Sequence, residues 1–110
     1  MEGKYNDIET AVLEGNFSEF RSDGGEMTGS FYLNFVSNRF FCKMNIPGVE
    51  TQMKMAGEIS QGVDGSITLK PQYGTNPVGE FEDTSTAGDK TFTIIDNSFE
   101  FEGIKFILNK

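Results

Sequence analysis

The chain has 110 residues, a net charge of −8, eleven phenylalanines and one cysteine, with no tryptophan and no histidine. That length makes one domain whose core needs neither metal nor disulfide, and a lone cysteine excludes an internal disulfide. Without histidine there is no Ser-His-Asp triad, Cys-His pair or imidazole ligand, and the acidic balance argues against nucleic acid and anionic membrane, which need clustered Lys and Arg.

Residues 1–12 set Tyr5, Ile8 and Val12 at helical spacing, with Asn6 as a cap and Glu9 three residues on, as in a capping box. A short helical segment over 1–12 is expected ahead of a β domain over 13–110. Leu13 to Phe20 reads as the first strand, and the Gly-, Asp- and Ser-rich stretch Arg21 to Thr28 as a loop. Gly29 to Val36 and Arg39 to Ile46 read as a hairpin across Ser37-Asn38. Phe31, Leu33 and Phe35 alternate with Tyr32 and Asn34, while Phe40, Cys42 and Met44 alternate with Phe41, Lys43 and Asn45. A two-residue period puts each set on one face of a pleated strand. Cys42 falls on the apolar face and reads as a small buried hydrophobe.

Pro47-Gly48 stops that arm. Thr51 to Ile59 alternates again, with Met53 and Met55 on one face, and Asp64-Gly65 is a turn leading into Ile67 and Leu69. Pro71 to Val78 carries no strand signal and reads as an exposed loop stiffened by glycine and proline. Glu80 to Asp83 forms a short acidic strand, Thr84 to Asp89 a loop, and Thr91 to Ile95 pairs with Ser98 to Leu108 across Asp96-Asn97. Two places break parity. Phe101 and Ile104 share a face if Gly103 makes a β-bulge; a tight turn at Glu102-Gly103 is the alternative. Phe20 is out of phase with Leu13 and Phe17, so it faces solvent unless a bulge near Gly15 to Ser18 re-phases it. Unbroken phase aims Glu19 inward as a ligand anchor, and the bulge places it outside.

The predicted fold is all-β with one short N-terminal helix: about eight antiparallel strands in up-and-down order, closed into a barrel that leaves no free edge. Its interior is either filled by side chains or wide enough for one small ligand. Glu80, Glu82 and Asp83, and the pair Glu100 and Glu102, read as solvated outer faces, so no catalytic residues, metal site or cofactor are expected. Residues 1–30 carry seven acids and two bases, and residues 79–110 seven acids and three bases. If the first and last strands adjoin, Glu14, Glu100 and Glu102 share an acidic wall, with Lys105 its one base. Such a wall could dock a basic protein surface. Tyr73, Gly74 and Asn76 mark the loop as a second partner-binding element. Phe35, Met44, Met53 and Phe92 line the lumen, where a small apolar molecule would sit.

Three stretches carry a resemblance: Leu13-Glu14-Gly15-Asn16-Phe17, the run from Gly29 to Phe35 with its hairpin, and the closing Phe99, Phe101, Gly103, Ile104, Phe106 and Leu108. Over roughly residues 12–110 the chain resembles the small lipocalin-like, or calycin-type, barrels, although the tryptophan usual after the first glycine is missing. The resemblance implies small-molecule binding or inhibition of a protein. The expected function is non-enzymatic: a small acidic barrel that binds a protein partner, as an inhibitor or immunity-type factor, through its acidic face or loops. The alternative is a carrier of a small apolar ligand in the lumen. No apolar run approaches the roughly 18 residues that span a bilayer, so membrane insertion is not expected, and the expected state is a monomer. A native Met1 would mean a cytoplasmic protein; an added one would fit a processed exported or lipoprotein domain.

Overall fold

The computed structural model describes residues 1–109. Helix α1 (Glu2–Leu13) precedes nine strands: β1 (Ser18–Ser22), β2 (Thr28–Asn34), β3 (Arg39–Asn45), β4 (Met53–Gln61), β5 (Ser66–Thr75), β6 (Phe81–Asp83), β7 (Lys90–Thr93), β8 (Ser98–Phe101) and β9 (Ile104–Leu108). They form one antiparallel sheet in the order β6-β5-β4-β3-β2-β1-β9-β8, with β7 also paired to β5. The sheet curls into a half-barrel, so the all-β fold with one N-terminal helix is borne out. β1 and β9 adjoin through Phe20 opposite Leu108 and Ser22 opposite Phe106.

The barrel is not closed all round. β7 pairs with β5 through Ser66–Thr93 to Leu69–Lys90, and it meets β8 at one isolated bridge, Ile95 with Ser98. The expected ladder across Asp96-Asn97 therefore stops after its first rung. Both turn residues have positive φ (52° and 61°), which suits a tight two-residue hairpin turn, but β7 has already been drawn onto β5. That edge of β5 is itself divided. Its first half holds β7 and its second half holds β6, through Tyr73–Asp83 to Thr75–Phe81. Pro71, which has no N–H to donate, lies between them. On the other edge the register against β4 shifts between Ala56 and Gly57, a bulge that leaves Gln72 unopposed. Gly57 is glycine by necessity there, because a Cβ would run into the Lys70 carbonyl.

Several boundaries differ from expectation. Helix α1 starts at Glu2 with no side-chain cap, so Asn6 is a mid-helix residue. The earlier start lets Tyr5, Ile8 and Val12 all bury against the sheet. The helix also claims Leu13, and residues 14–17, with Gly15 at φ +80°, form a linker. The first strand thus begins at Ser18, and the stretch that resembled a lipocalin opening strand is not a strand. Phe20 needs no bulge to point inward. Near the end of the chain, Glu102 (φ 52°) and Gly103 (φ 78°) make a tight turn with Phe101 opposite Ile104, so the turn is correct and the bulge is not. Splitting that segment in two raises the strand count from eight to nine.

The sheet buries both faces. Inside, Phe20, Phe31, Leu33, Phe40, Cys42, Met44, Ile59, Ile67, Leu69, Phe92, Phe99, Phe101 and Phe106 form the main core. Phe31 is its hub, with ring centroids 4.9 Å from Phe101, 4.9 Å from Phe106 and 5.5 Å from Phe99, all edge-on, the geometry that suits the ring quadrupole. Outside, α1 lays Tyr5, Ile8 and Val12 on Phe41 and Ala56, with Tyr32, Tyr73 and Phe81 around them. The alternation in β3 serves two cores: Phe40, Cys42 and Met44 face in, and Phe41 faces the helix.

Candidate functional site

The barrel interior is occupied. Phe92 stacks on Phe99 at 4.0 Å across the β7–β8 seam, and Phe99 reaches Phe20 at 5.0 Å and Phe106 at 5.4 Å. Of the expected lumen residues, Phe92 and Met44 are buried inside this packing, while Phe35 and Met53 lie partly buried at its margins. Cys42 is wholly buried, and desolvation pushes its thiol up to about 12, so it is protonated and unreactive at neutral pH. Among the described residues no group of three His, Cys, Asp or Glu side chains gathers as a metal site.

The acidic wall does not assemble. Glu14 follows α1 near the end of β2, whereas Glu100 and Glu102 lie toward the start of β9. Because Phe20 pairs with Leu108 and Ser22 with Phe106, the length of β9 separates Glu14 from Glu102. Both of the latter acids also have basic neighbours. Glu100 stands opposite Lys105, and Glu102 meets Lys90 at 3.5 Å across the seam. Glu19 lies on the outer face, opposite Tyr32, and its carboxylate is 2.6 Å from Arg21 Nε.

The expected partner-binding loop is also smaller than predicted. Tyr73 and Gly74 belong to β5: Tyr73 packs beneath α1 and Gly74 is buried against the β4 backbone. Asn76 does sit in a loop, and its side-chain oxygen accepts the Val78 and Glu80 amides at 3.1 and 2.9 Å, which makes it a turn former.

What the structure does assemble lies at the end where α1 finishes. The β2–β3, β4–β5 and β7–β8 turns all emerge there, and each presents a large aliphatic: Val36 (84 % exposed), Val63 (110 %) and Ile95 (64 %). Leu13 at the end of α1 and Phe17 of the linker that follows are exposed at the same end. The tips are neighbours through the sheet. The amide of Ile59 in β4 donates to the Asn38 carbonyl at 2.9 Å, and Ser66 opposite Thr93 sets the last two tips side by side. Three of these positions are followed by an acid: Leu13-Glu14, Val63-Asp64 and Ile95-Asp96. The Ser66 hydroxyl and amide hold the Asp64 carboxyl below the usual carboxylate range, so its charge is secure at neutral pH.

Asn34 fixes this end. It is 2 % exposed, and its Nδ2 donates to the carbonyls of Val12 (3.0 Å) and Glu14 (3.1 Å). Its Oδ1 accepts the amides of Val36 (2.9 Å) and Ser37 (3.0 Å). One side chain therefore satisfies orphan carbonyls at the helix C-terminus and shapes the first tip. Alternation alone marks Asn34 as an outward strand residue; the signal available was a lone amide just before a turn. The exposed tips had a signal too, an aliphatic–acid pair inside each of two tight turns. A comparison with known proteins finds no family model, curated protein or solved structure that matches the chain.

Proposed function

We propose that this protein is a non-enzymatic binding protein, an inhibitor or immunity-type factor on a lipocalin-like half-barrel. It meets its protein partner at the end built from Val36, Val63, Ile95, Leu13 and Phe17. The observation that carries this reading is the contrast between an interior filled by stacked rings and three adjacent turn tips that expose aliphatics. Contiguous exposed apolar groups rimmed by charge mark interaction sites more than isolated ones do. Glu14, Asp64 and Asp96 give the rim a negative sign, so the complementary partner surface is apolar and ringed by Lys or Arg.

Capture from source cells with wild-type protein and with a Val36→Ser/Val63→Ser/Ile95→Ser variant tests this. The variant changes exposed positions only and should unfold within about 0.5 kcal/mol of wild type. A partner held by wild type, released at high salt and lost by the variant is the expected result. A partner held equally by both overturns the reading. A small apolar molecule co-purifying in native mass spectrometry would favour the carrier reading instead.

A further inference from the structure

The β7–β8 seam sets two strand edges face to face without joining them. Alternation shows which backbone groups are left over: in an antiparallel pair, every second residue turns both its N–H and its C=O to the same neighbour. The Ser66 carbonyl accepts the Gly62 amide at 2.8 Å, so Ser66 and Thr68 of β5 turn toward β4, and Ile67 and Leu69 turn toward β7. Their partners there are Phe92 and Lys90. Thr91 and Thr93 therefore turn away from β5 and into the seam. On the other side, the Asn97 carbonyl accepts the Leu108 amide at 2.8 Å, which turns Phe99 and Phe101 toward β9 as well and leaves Ser98 and Glu100 facing the seam. The bridge between Ile95 and Ser98, with N···O distances of 2.8 and 3.1 Å in its two directions, agrees with both phases.

Beyond that bridge the hydrogen bonds stop. Among the described residues, the backbones of Thr91, Thr93 and Glu100 make no bond across the seam. Neither edge can move to close it, because β7 is held on β5 from Lys90 to Thr93 and β8 on β9 from Ser98 to Phe101. Between them lies a hollow of about 600 Å³, lined by the Phe92 and Phe99 rings and by the exposed Thr91, Thr93 and Glu100. An unpaired strand edge specifies its own complement, a second extended backbone, and adding one is a recurrent way for a sheet to hold a peptide. We propose that the protein partner lays an extended segment along β7 in this seam and pairs with the amides and carbonyls of Thr91 and Thr93. This rests on the partner surface proposed above, with which the seam is continuous: Ile95 and Asp96 line the same hollow.

The seam also limits what the segment can be. Thr91 and Thr93 together offer two amides and two carbonyls, which engage a run of about three to five residues. Alternate side chains of that run point at Phe92 and Phe99, whose rings stack at 4.0 Å and already fill the interior, so those positions are small and apolar. The side chains between them stay outside. There Lys90 meets Glu102 at 3.5 Å and Glu100 stands opposite Lys105, so the charges of the seam answer one another and the run itself is uncharged. The partner's Lys or Arg meets Asp96 at the tip instead.

The test is amide hydrogen exchange on the full chain, free and in the complex captured by wild type. In the free protein the Thr91, Thr93 and Glu100 amides should be unprotected, while those of Phe92 and Phe99 are protected by β5 and β9. In the complex, the Thr91 and Thr93 amides should become protected. Thr93→Pro removes one seam amide and leaves the β5 pairing whole, at an edge that accepts proline. It should bind the captured partner about tenfold or more weaker than Thr93→Ala, which keeps the amide, as expected for one lost hydrogen bond with its approach blocked. Val36→Ser/Val63→Ser leaves the seam intact and tests the tips alone. Protection of the three amides in the free protein would overturn the seam. So would exposed Thr91 and Thr93 amides in the complex, or equal binding by the two Thr93 variants. If the tip variant loses the partner in those cases, the surface reading stands without the seam; a wild type that captures nothing overturns both.

Discussion

The two faces of this sheet are buried by different means. The inner core is made of rings, aliphatics and sulfur, and its one polar hydrogen is the Cys42 thiol. The outer core is amphipathic: Tyr5, Tyr32 and Tyr73 bring hydroxyls, Glu9 reaches Lys43 at 3.5 Å, and the Lys43 and Lys54 ammoniums stand 5.7 and 5.9 Å from the Phe41 and Phe81 rings. Inside, a residue contributes in proportion to the space it fills. Outside, it also has to place a polar end. The same strands carry both, so a substitution one position along β2 or β3 changes the rules that apply to it.

The largest effect that separates the two is ring deletion. Phe31→Ala removes the hub of the inner rings and should cost about 3–5 kcal/mol, while Phe41→Ala should fall at the lower end of that range because α1 can settle into the gap. Urea unfolding of both variants ranks them, and a costlier Phe41→Ala would reverse the comparison. An intermediate effect belongs to the junction. Asn34→Ala leaves two carbonyls and two amides to find water, for a loss of roughly 2–3 kcal/mol, with less helical signal in far-UV circular dichroism. An unchanged helix signal would mean that Asn34 does not hold α1.

The smallest effect concerns Tyr5. Its ring is 1 % exposed and lies tilted against Phe81 at 5.0 Å, yet its hydroxyl makes no hydrogen bond among the described residues. Tyr5→Phe should be neutral or stabilising by up to about 1 kcal/mol at pH 7, since it removes an unsatisfied buried group. Burial, with the Glu9 carboxylate second, raises the phenol above its ordinary 10.0. A raised value means that the fold favours the neutral phenol, a contribution present in full below pH 10 and lost as pH rises beyond it. The Tyr5→Phe variant should therefore lose less stability than wild type above pH 10 in matched urea titrations. Parallel loss in the two proteins would mean that the phenol is not the group responsible.

Much of this was legible from two-residue alternation. Phe31, Leu33, Phe40, Cys42 and Met44 announce an inner face without help, and Tyr5, Ile8 and Val12 announce the helix. What alternation cannot report is a residue whose environment is set by a distant segment. Phe41 and Tyr73 look solvent-facing until the helix covers them, and β5 looks broken at Pro71 because the proline serves an edge where two short strands meet. Asn34 was hidden for the same reason, since its partners Val12 and Glu14 lie 22 and 20 residues away. The adjacency of β1 and β9 does not bring Glu14, Glu100 and Glu102 together, because adjacency fixes neighbours and leaves position along the strand open. Turn chemistry reports backbone shape, so an aliphatic displayed at a tip stands outside what it signals.

Helix α1 leaves the ribosome before the sheet it packs on, and it is among the last elements able to dock. Its outer core draws on Tyr32 and Phe41, then on Ala56 and Tyr73, and finally on Phe81, so each stage of synthesis completes a further part of its bed. A helix of 12 residues is marginal alone in water, and its non-local contacts form only after the chain between them has been ordered. Asn34 offers the nearest anchor. Once the β2–β3 hairpin exists, it can hold the helix C-terminus in place while the rest of the sheet is added, which makes this one amide a folding guide as well as a brace.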